Sequence, residues 1–169
     1  GENMMILNHI RNRKIRKKYS KDNVGYDSEG SLIEDVLFEA KNKNLFIIRH
    51  IRYADGNDNL TTFGIYKILN NKEKVIGNLK YVFENTDCSH PYMILCDICF
   101  DIPYRNIGIG SKTLKLFEKR ANDYGAFYIE GTLSDVDELS MDNQVLRDIF
   151  YQNAGYTIIN HKIFKKLSD

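Results

Sequence analysis

The sequence predicts an α/β (α+β) fold with a mixed, mostly antiparallel central sheet flanked by helices. Residues 61–69 and 75–83 alternate between apolar and polar side chains, which is typical of a β-hairpin. Apolar residues recur at every second position over 92–100, and a helical spacing follows from Leu114 to Tyr124. A further strand over 127–133 then implies a parallel crossover pair.

Composition favours one domain spanning residues 1–169. The chain has 169 residues, of which 43% are hydrophobic, enough for a substantial core. Lys and Arg number 24 against 23 acidic residues, so the net charge of +1 predicts no bulk attraction to nucleic acid. Three cysteines without a secretory leader favour a cytoplasmic protein. No apolar run approaches the roughly 20 residues of a spanning helix, so we expect no membrane partner.

Two segments before the hairpin have distinctive patterns. Six of the eight residues from Arg11 to Lys18 are basic, within an arm of residues 1–20. This arm is either a solvated helix or a contact to nucleic acid, an anionic surface or coenzyme phosphate. Ser31-x-x-Glu34 has the form of a capping box before an apolar face ending at Ala40, so it predicts a short amphipathic helix. Residues 45–51 are predicted to form a strand, followed by a loop over 54–59.

The cysteine and histidine spacings do not predict a metal site. Cys96 and Cys99 lie three apart on a predicted strand, so their side chains should point to opposite faces and are expected to be buried as small hydrophobes. No metal-ligand spacing joins His50, His90 and His161.

The segment from Asp101 to Ser111 carries the strongest functional pattern. Its glycines, Gly108 and Gly110, lie where the strand meets the helix. Glycines can adopt positive φ and let a ligand approach, so backbone N–H groups can converge there on an anion such as pyrophosphate. The alternative is a turn that merely connects strand to helix. The Walker and Rossmann patterns are both absent.

Two motifs resemble those of the GCN5-related N-acetyltransferase (GNAT) family. Arg105-x-x-Gly108-x-Gly110 is similar to its acyl-coenzyme A signature, and Tyr151-x-x-x-Gly155-Tyr156 to its second motif. The resemblance covers roughly residues 60–167. It implies a central parallel strand pair that splays apart, with acyl-coenzyme A in the gap.

The resemblance also implies site residues. Tyr151 would be the general acid that protonates the leaving thiolate, although it could simply pack against Phe150 and Tyr156. Many members have an asparagine seven residues before this tyrosine; Gln144 stands there, with Asn143 beside it. The coenzyme would be bound by the following residues: Phe100, Ile102, Arg105, Asn106, Ile107, Gly108, Ile109, Gly110, Ser111 and Asn143.

Two carboxylates are candidates for the general base. Asp97 lies inside an otherwise apolar strand, where burial would raise its pKa, and Glu130 lies on the neighbouring parallel strand. Alternatively, Asp97 is only hydrogen-bonded within the sheet and Glu130 faces solvent.

The predicted function is transfer of an acetyl group from acetyl-coenzyme A to a primary amine, by direct attack in a ternary complex. The alternative is a coenzyme-binding sensor that contacts nucleic acid through the basic arm. The family's usual helices after the first strand are missing here, so the acceptor is left open, as is the choice between monomer and homodimer. No metal cofactor is expected.

Overall fold

The computed structural model of the chain describes residues 13–18, 23–28, 30–52, 61–70, 72–86, 89–133 and 141–167. Within these ranges three helices occur, namely α1 (residues 13–18), α2 (Ile109–Asp123) and α3 (Met141–Asn153), with a 3₁₀ turn at Ile102–Tyr104. The strands of the same ranges are β1 (Asn23–Tyr26), β2 (Leu32–Glu39), β3 (Leu45–Arg52), β4 (Thr61–Leu69), β5 (Lys72–Glu84), β6 (Tyr92–Phe100), β7 (Tyr128–Thr132), β8 (Thr157–Ile159) and β9 (Lys162–Lys166).

These strands form one mixed sheet in the order β1-β2-β3-β4-β5-β6-β7-β9-β8. Strands β6 and β7 are parallel, and the other neighbouring pairs are antiparallel. The predicted fold class is therefore confirmed, and so is the parallel crossover through α2. The tight β8–β9 turn has positive φ at Asn160 and His161, as a two-residue hairpin with right-handed twist requires.

Helices α1 and α2 lie on opposite faces of the sheet. Arg120 of α2 is paired with Glu34, whereas Arg16 of α1 is paired with Glu39. Odd and even positions of β2 face opposite sides, so these two ion pairs place the helices on different faces. Ile15 is buried, while the five basic residues of 13–18 are exposed. The rest of the arm and the predicted loop at 54–59 lie outside the described residues.

The helix predicted from Ser31 is wrong, because the segment forms β2. All eight residues of β2 pair with β3, and Asp35 is buried in a two-pronged contact with Arg49, at 2.8 and 2.9 Å. The backbone N–H of Ser31 donates to Asp27 Oδ1 at 2.8 Å, which fixes a turn after β1. Pairing with distant strands therefore outweighs the local capping pattern.

A β-bulge changes the predicted faces of the hairpin. The register of β4 with β5 shifts between Ile65 and Tyr66, so Ile76 is the extra residue on β5. Ile76 is consequently buried and Val75 is 59% exposed, whereas the alternation placed Val75 on the same face as Leu79.

A second bulge interrupts the apolar alternation of β6. Lys80 pairs with Asp97 and Tyr81 with Leu95, which leaves Cys96 as the extra residue. The predicted single stripe over 92–100 is therefore wrong: Met93 and Leu95 face the core before the bulge, and Ile98 packs against the core after it.

The parallel strands β6 and β7 separate directly at this bulge. Their pairing runs from Tyr92 with Tyr128 to Leu95 with Gly131, and β6 then continues beside β5 alone. A Cβ on Gly131 would lie 2.7 Å from the Leu95 carbonyl oxygen, so only glycine allows this close approach. The expected splay of the central pair is confirmed.

A buried polar network holds the C-terminal end of α2 on the sheet. His50 Nε2 lies 2.7 Å from the Tyr81 hydroxyl and His50 Nδ1 lies 3.2 Å from Glu34, which also pairs with Arg120. A carboxylate only accepts, so His50 Nδ1–H donates to Glu34 and Nε2 accepts from Tyr81. Burial, with the nearby charge of Arg52, lowers the pKa of His50 to about 4.

This network predicts a loss of stability in mild acid. The pKa of His50 in the folded state lies below its value in the unfolded chain. The stabilisation that neutral His50 gives the folded state is therefore present above the unfolded pKa. It is lost as pH falls from there through the folded-state pKa. Between pH 7 and pH 5 the loss from His50 should be about 2 kcal/mol. Urea unfolding of wild type and His50→Gln at both pH values measures it. Equal losses in the two proteins would contradict this role of His50.

Candidate active site

The segment from Asp101 to Ser111 forms a compact turn that ends at α2. The N–H of Tyr104 donates to Asp101 at 2.9 Å, and the N–H of Arg105 donates to Ile102 at 3.2 Å. Asn106 and Gly108 then have φ values of 61° and 91°. The backbone is therefore left-handed at both positions, and glycine relieves the strain at the second.

The N-terminus of α2 has the character of an anion site. Gly108 is its N-cap, no side chain caps the helix, and the first turn contains no acidic residue. The N–H groups of a first helical turn lack intrahelical partners and carry the positive end of the helix dipole. Ile109 is fully buried and fixes this end against the core, while Ser111 is exposed.

Arg105 fastens the turn to the end of β6. Its Nε donates to the Phe100 carbonyl at 3.1 Å. That carbonyl is among the backbone groups predicted to contact the coenzyme, so the arginine side chain occupies part of its accepting capacity. The exposed side chains of Ile102, Asn106 and Arg105 lie on the outer side of the turn.

Helix α3 packs directly against the start of α2. A Cβ on Gly110 would lie 3.3 Å from the Phe150 ring and 3.5 Å from the Phe100 ring. The small residue at position 110 thus lets α3 approach the end of β6. The next residue, Tyr151, is 5% exposed and has ring contacts to Phe150 at 5.1 Å and Tyr156 at 5.7 Å.

The Tyr151 hydroxyl remains protonated at neutral pH. Burial and the nearby negative charge of Asp97 raise its pKa to about 12, although the charge of Arg147 acts in the opposite direction. The group can therefore donate a proton but does not act as a base near pH 7. The charge of Asp97, predicted from a separate pattern, thus acts on the Tyr151 hydroxyl.

The predicted burial of Asp97 is wrong, because the residue is exposed. After the bulge at Cys96, Ile98 and Phe100 pack against the core, so Asp97 and Cys99 face outward, and β7 has already parted from β6. Glu130 is half-buried and lies within the paired part of β7, opposite Ile94 and Phe164. Of the two carboxylates, only Asp97 has a charge that acts on Tyr151.

The predicted burial of the two cysteines is wrong for the same reason. Cys96 and Cys99 are both exposed. Among the described residues no group of three or more His, Cys, Asp and Glu side chains could hold a metal. Asn143 and Gln144 are exposed in the first turns of α3.

The sequence patterns missed one neighbour of the turn, the β2–β3 connection. The Lys41 N–H donates to the Ile107 carbonyl at 3.3 Å, and Phe38 packs beside Gly108. The run Asn42-Lys43-Asn44 is rich in turn formers and could have indicated this connection.

Within the part of the chain that the structure describes, no helix has the length and apolar character needed to cross a membrane.

No family model matches the sequence, and no curated protein matches it. Solved structures do match. A cAMP-binding acyltransferase from Mycobacterium smegmatis has a TM-score of 0.57 at 12% identity over 81% of this chain, which spans 49% of that protein. The NatC complex bound to Gag peptide and CoA has a TM-score of 0.51 at 12% identity, and the match covers 63% of this chain and 71% of that one. Arabidopsis thaliana NAA60 in complex with a bisubstrate analogue has a TM-score of 0.50 at 9% identity. This match covers 65% of this chain and 77% of that one. The chain has the fold of GNAT acetyltransferases.

The turn predicts different responses at its two glycines. Gly108→Ala should reduce the free energy of unfolding by about 1–2 kcal/mol, because its φ is left-handed. Gly110→Ala should change it by less than about 1 kcal/mol, since higher helix propensity offsets the contact with Phe150. Urea unfolding of both variants tests the turn. A Gly108→Ala variant as stable as wild type would contradict this geometry.

Proposed function

We propose that this protein is an N-acetyltransferase that transfers an acetyl group from acetyl-coenzyme A to a primary amine. The observation that carries the proposal is the uncapped N-terminus of α2 at the split between β6 and β7, with a buried, protonated Tyr151 beside it. Residues 1–169 would form one acyltransferase domain, with residues 1–20 as its basic arm and the cytoplasm as its location.

The residues of the turn fit the phosphates of acyl-coenzyme A. Backbone N–H groups from Asn106 to Ser111 would hold the pyrophosphate at the positive end of α2. The backbone of Phe100 and Ile102 would hold the pantetheine along the separated edge of β6, and Asn143 would contact the coenzyme from α3. Acetyl-coenzyme A would supply the thioester.

The reaction joins the amine nitrogen to the acyl carbon and breaks the carbon–sulfur bond. Backbone N–H groups near Phe100 would stabilise the negative charge that develops on the carbonyl oxygen. Tyr151, which its raised pKa keeps protonated at neutral pH, would donate its proton to the departing thiolate. The proton released by the amine would pass to a base or to solvent, so charge and atoms balance.

Asp97 is the better placed base. Its charge raises the pKa of Tyr151, which supports assigning the two groups to one reaction centre. Its exposure keeps it accessible to an amine arriving from solvent, and a carboxylate also attracts the ammonium form of the acceptor. Glu130 is the second candidate, on the strand across the split.

Peptide amines are the acceptors to test first. The NatC structure contains a peptide with CoA, and this supports including free peptide N-termini in a panel with lysine side chains and small polyamines.

Purified protein should release coenzyme A when supplied with acetyl-coenzyme A and one member of this panel. Thiol release, with mass spectrometry of the acceptor, measures the reaction. Saturable coenzyme binding without turnover on any amine would contradict the enzymatic proposal and favour a coenzyme sensor.

Tyr151→Phe should lower kcat by about 100-fold, since the general acid is lost. Its affinity for coenzyme A should stay within about twofold of wild type, because the ring is retained. Tyr156→Phe is the matched control. The Tyr156 ring is also buried and packs on Tyr151, but its hydroxyl responds to Glu118 of α2, which together with burial raises the pKa of Tyr156. Equal kcat values in the Tyr151→Phe variant and wild type would remove Tyr151 as the acid.

The base is tested by paired amide variants. Asp97→Asn should lower kcat at neutral pH by about 10–100-fold, with partial recovery at higher pH, where more of the amine is neutral. Glu130→Gln should retain most of the activity. A larger loss of kcat in Glu130→Gln than in Asp97→Asn would assign the base to Glu130. Wild-type kcat values in both variants would contradict a carboxylate base.

A further inference from the structure

The β2–β3 connection brings a lysine to the glycine turn. The Lys41 N–H donates to the Ile107 carbonyl at 3.3 Å. The Lys41 Cε lies 4.0 Å, and the Phe38 ring 3.7 Å, from the position that a Cβ on Gly108 would take. The end of the lysine side chain therefore lies over the N-cap of α2.

This position is fixed by the fold. The Ala40 N–H donates to Asn44 at 3.0 Å and the Lys43 N–H donates to Ala40 at 2.9 Å, which closes the connection. The Asn44 N–H donates to Asn42 Oδ1 at 3.1 Å. Ala40 itself is 3% exposed and belongs to the core. The hydrogen-bonded connection, anchored in the core by Ala40, thus holds the backbone of Lys41 against the glycine turn.

The charges around Lys41 favour an anion between the lysine and the helix. Lys43, two residues on, is paired with Glu39 at 3.7 Å. No ion pair of Lys41 occurs among the described residues, and the first turn of α2 contains no acid. A cation near a helix N-terminus is unfavourable, because both are positive. A bound phosphate would relieve this repulsion and contact both groups.

The geometry points to Lys41 as a coenzyme-binding residue that neutralises a phosphate of coenzyme A from the side of the β2–β3 connection. This inference rests on the proposed function. Coenzyme A carries a pyrophosphate and a 3′-phosphate, and the lysine suits either, since a flexible ammonium binds phosphate as a point charge.

Lys41→Gln and Lys43→Gln form a matched pair, because both remove one positive charge from the same exposed turn. Isothermal titration of coenzyme A into each protein should show a Kd raised about tenfold in Lys41→Gln, the size of one charge-assisted contact, and within about twofold of wild type in Lys43→Gln. The ratio of the Kd of Lys41→Gln to that of Lys43→Gln should fall as salt is added, because salt screens the interaction of the charges.

Dephospho-coenzyme A identifies the phosphate. A tenfold difference that persists with this ligand assigns Lys41 to the pyrophosphate, and a difference that disappears assigns it to the 3′-phosphate; both support the inference. Wild-type affinity in Lys41→Gln, or equal losses in the two variants, would overturn it and leave the proposed function intact. A wild-type protein that does not bind coenzyme A would overturn the proposed function and the inference together.

Discussion

The end of pairing between β6 and β7 is the constraint on which the rest of the structure depends. The two strands run together only as far as Leu95 and Gly131, where their backbones come too close for a side chain at position 131. Beyond this point the bulge at Cys96 leaves β6 attached to β5 alone. An opening in a continuous sheet results, and α2 begins at its edge.

Both ends of α2 are fastened, so the helix is held in place relative to this opening. At its C-terminal end Arg120 pairs with Glu34, which in turn binds His50. A cation is favourable there because it meets the negative end of the helix dipole. At its N-terminal end Phe150 packs on Gly110, and Ile109 is fully buried. The N–H groups of the first turn therefore need no rearrangement to receive an anion, which favours binding.

Local patterns were sufficient for the elements next to the site. The glycine turn, α2 and β7 follow from periodicity and turn residues, and the structure has each of them. The errors arose where partners distant in sequence decide the outcome. The segment after Ser31 forms a strand because β3 pairs with it and Arg49 supplies the partner of Asp35.

Asp97 shows the same limit within the candidate site. Its place inside an otherwise apolar strand predicts its burial, but a single extra residue at Cys96 changes which residues of β6 face the core, and nothing in the local sequence marks that bulge. Lys41 was missed because its position depends on how the β2–β3 connection folds against Ile107. The turn of the proposed donor site was thus predictable from its own segment, whereas the position of the groups that surround it required the assembled sheet.

The central claim is that coenzyme A binds at the start of α2, within the split between β6 and β7. An amide NMR titration of the protein with coenzyme A tests it most directly. The account predicts saturable shifts that are largest for the N–H groups of Ile107 to Ser111, with smaller ones at Phe100 and Tyr151. Shifts concentrated elsewhere, for example around His50, or no saturable shifts, would contradict it.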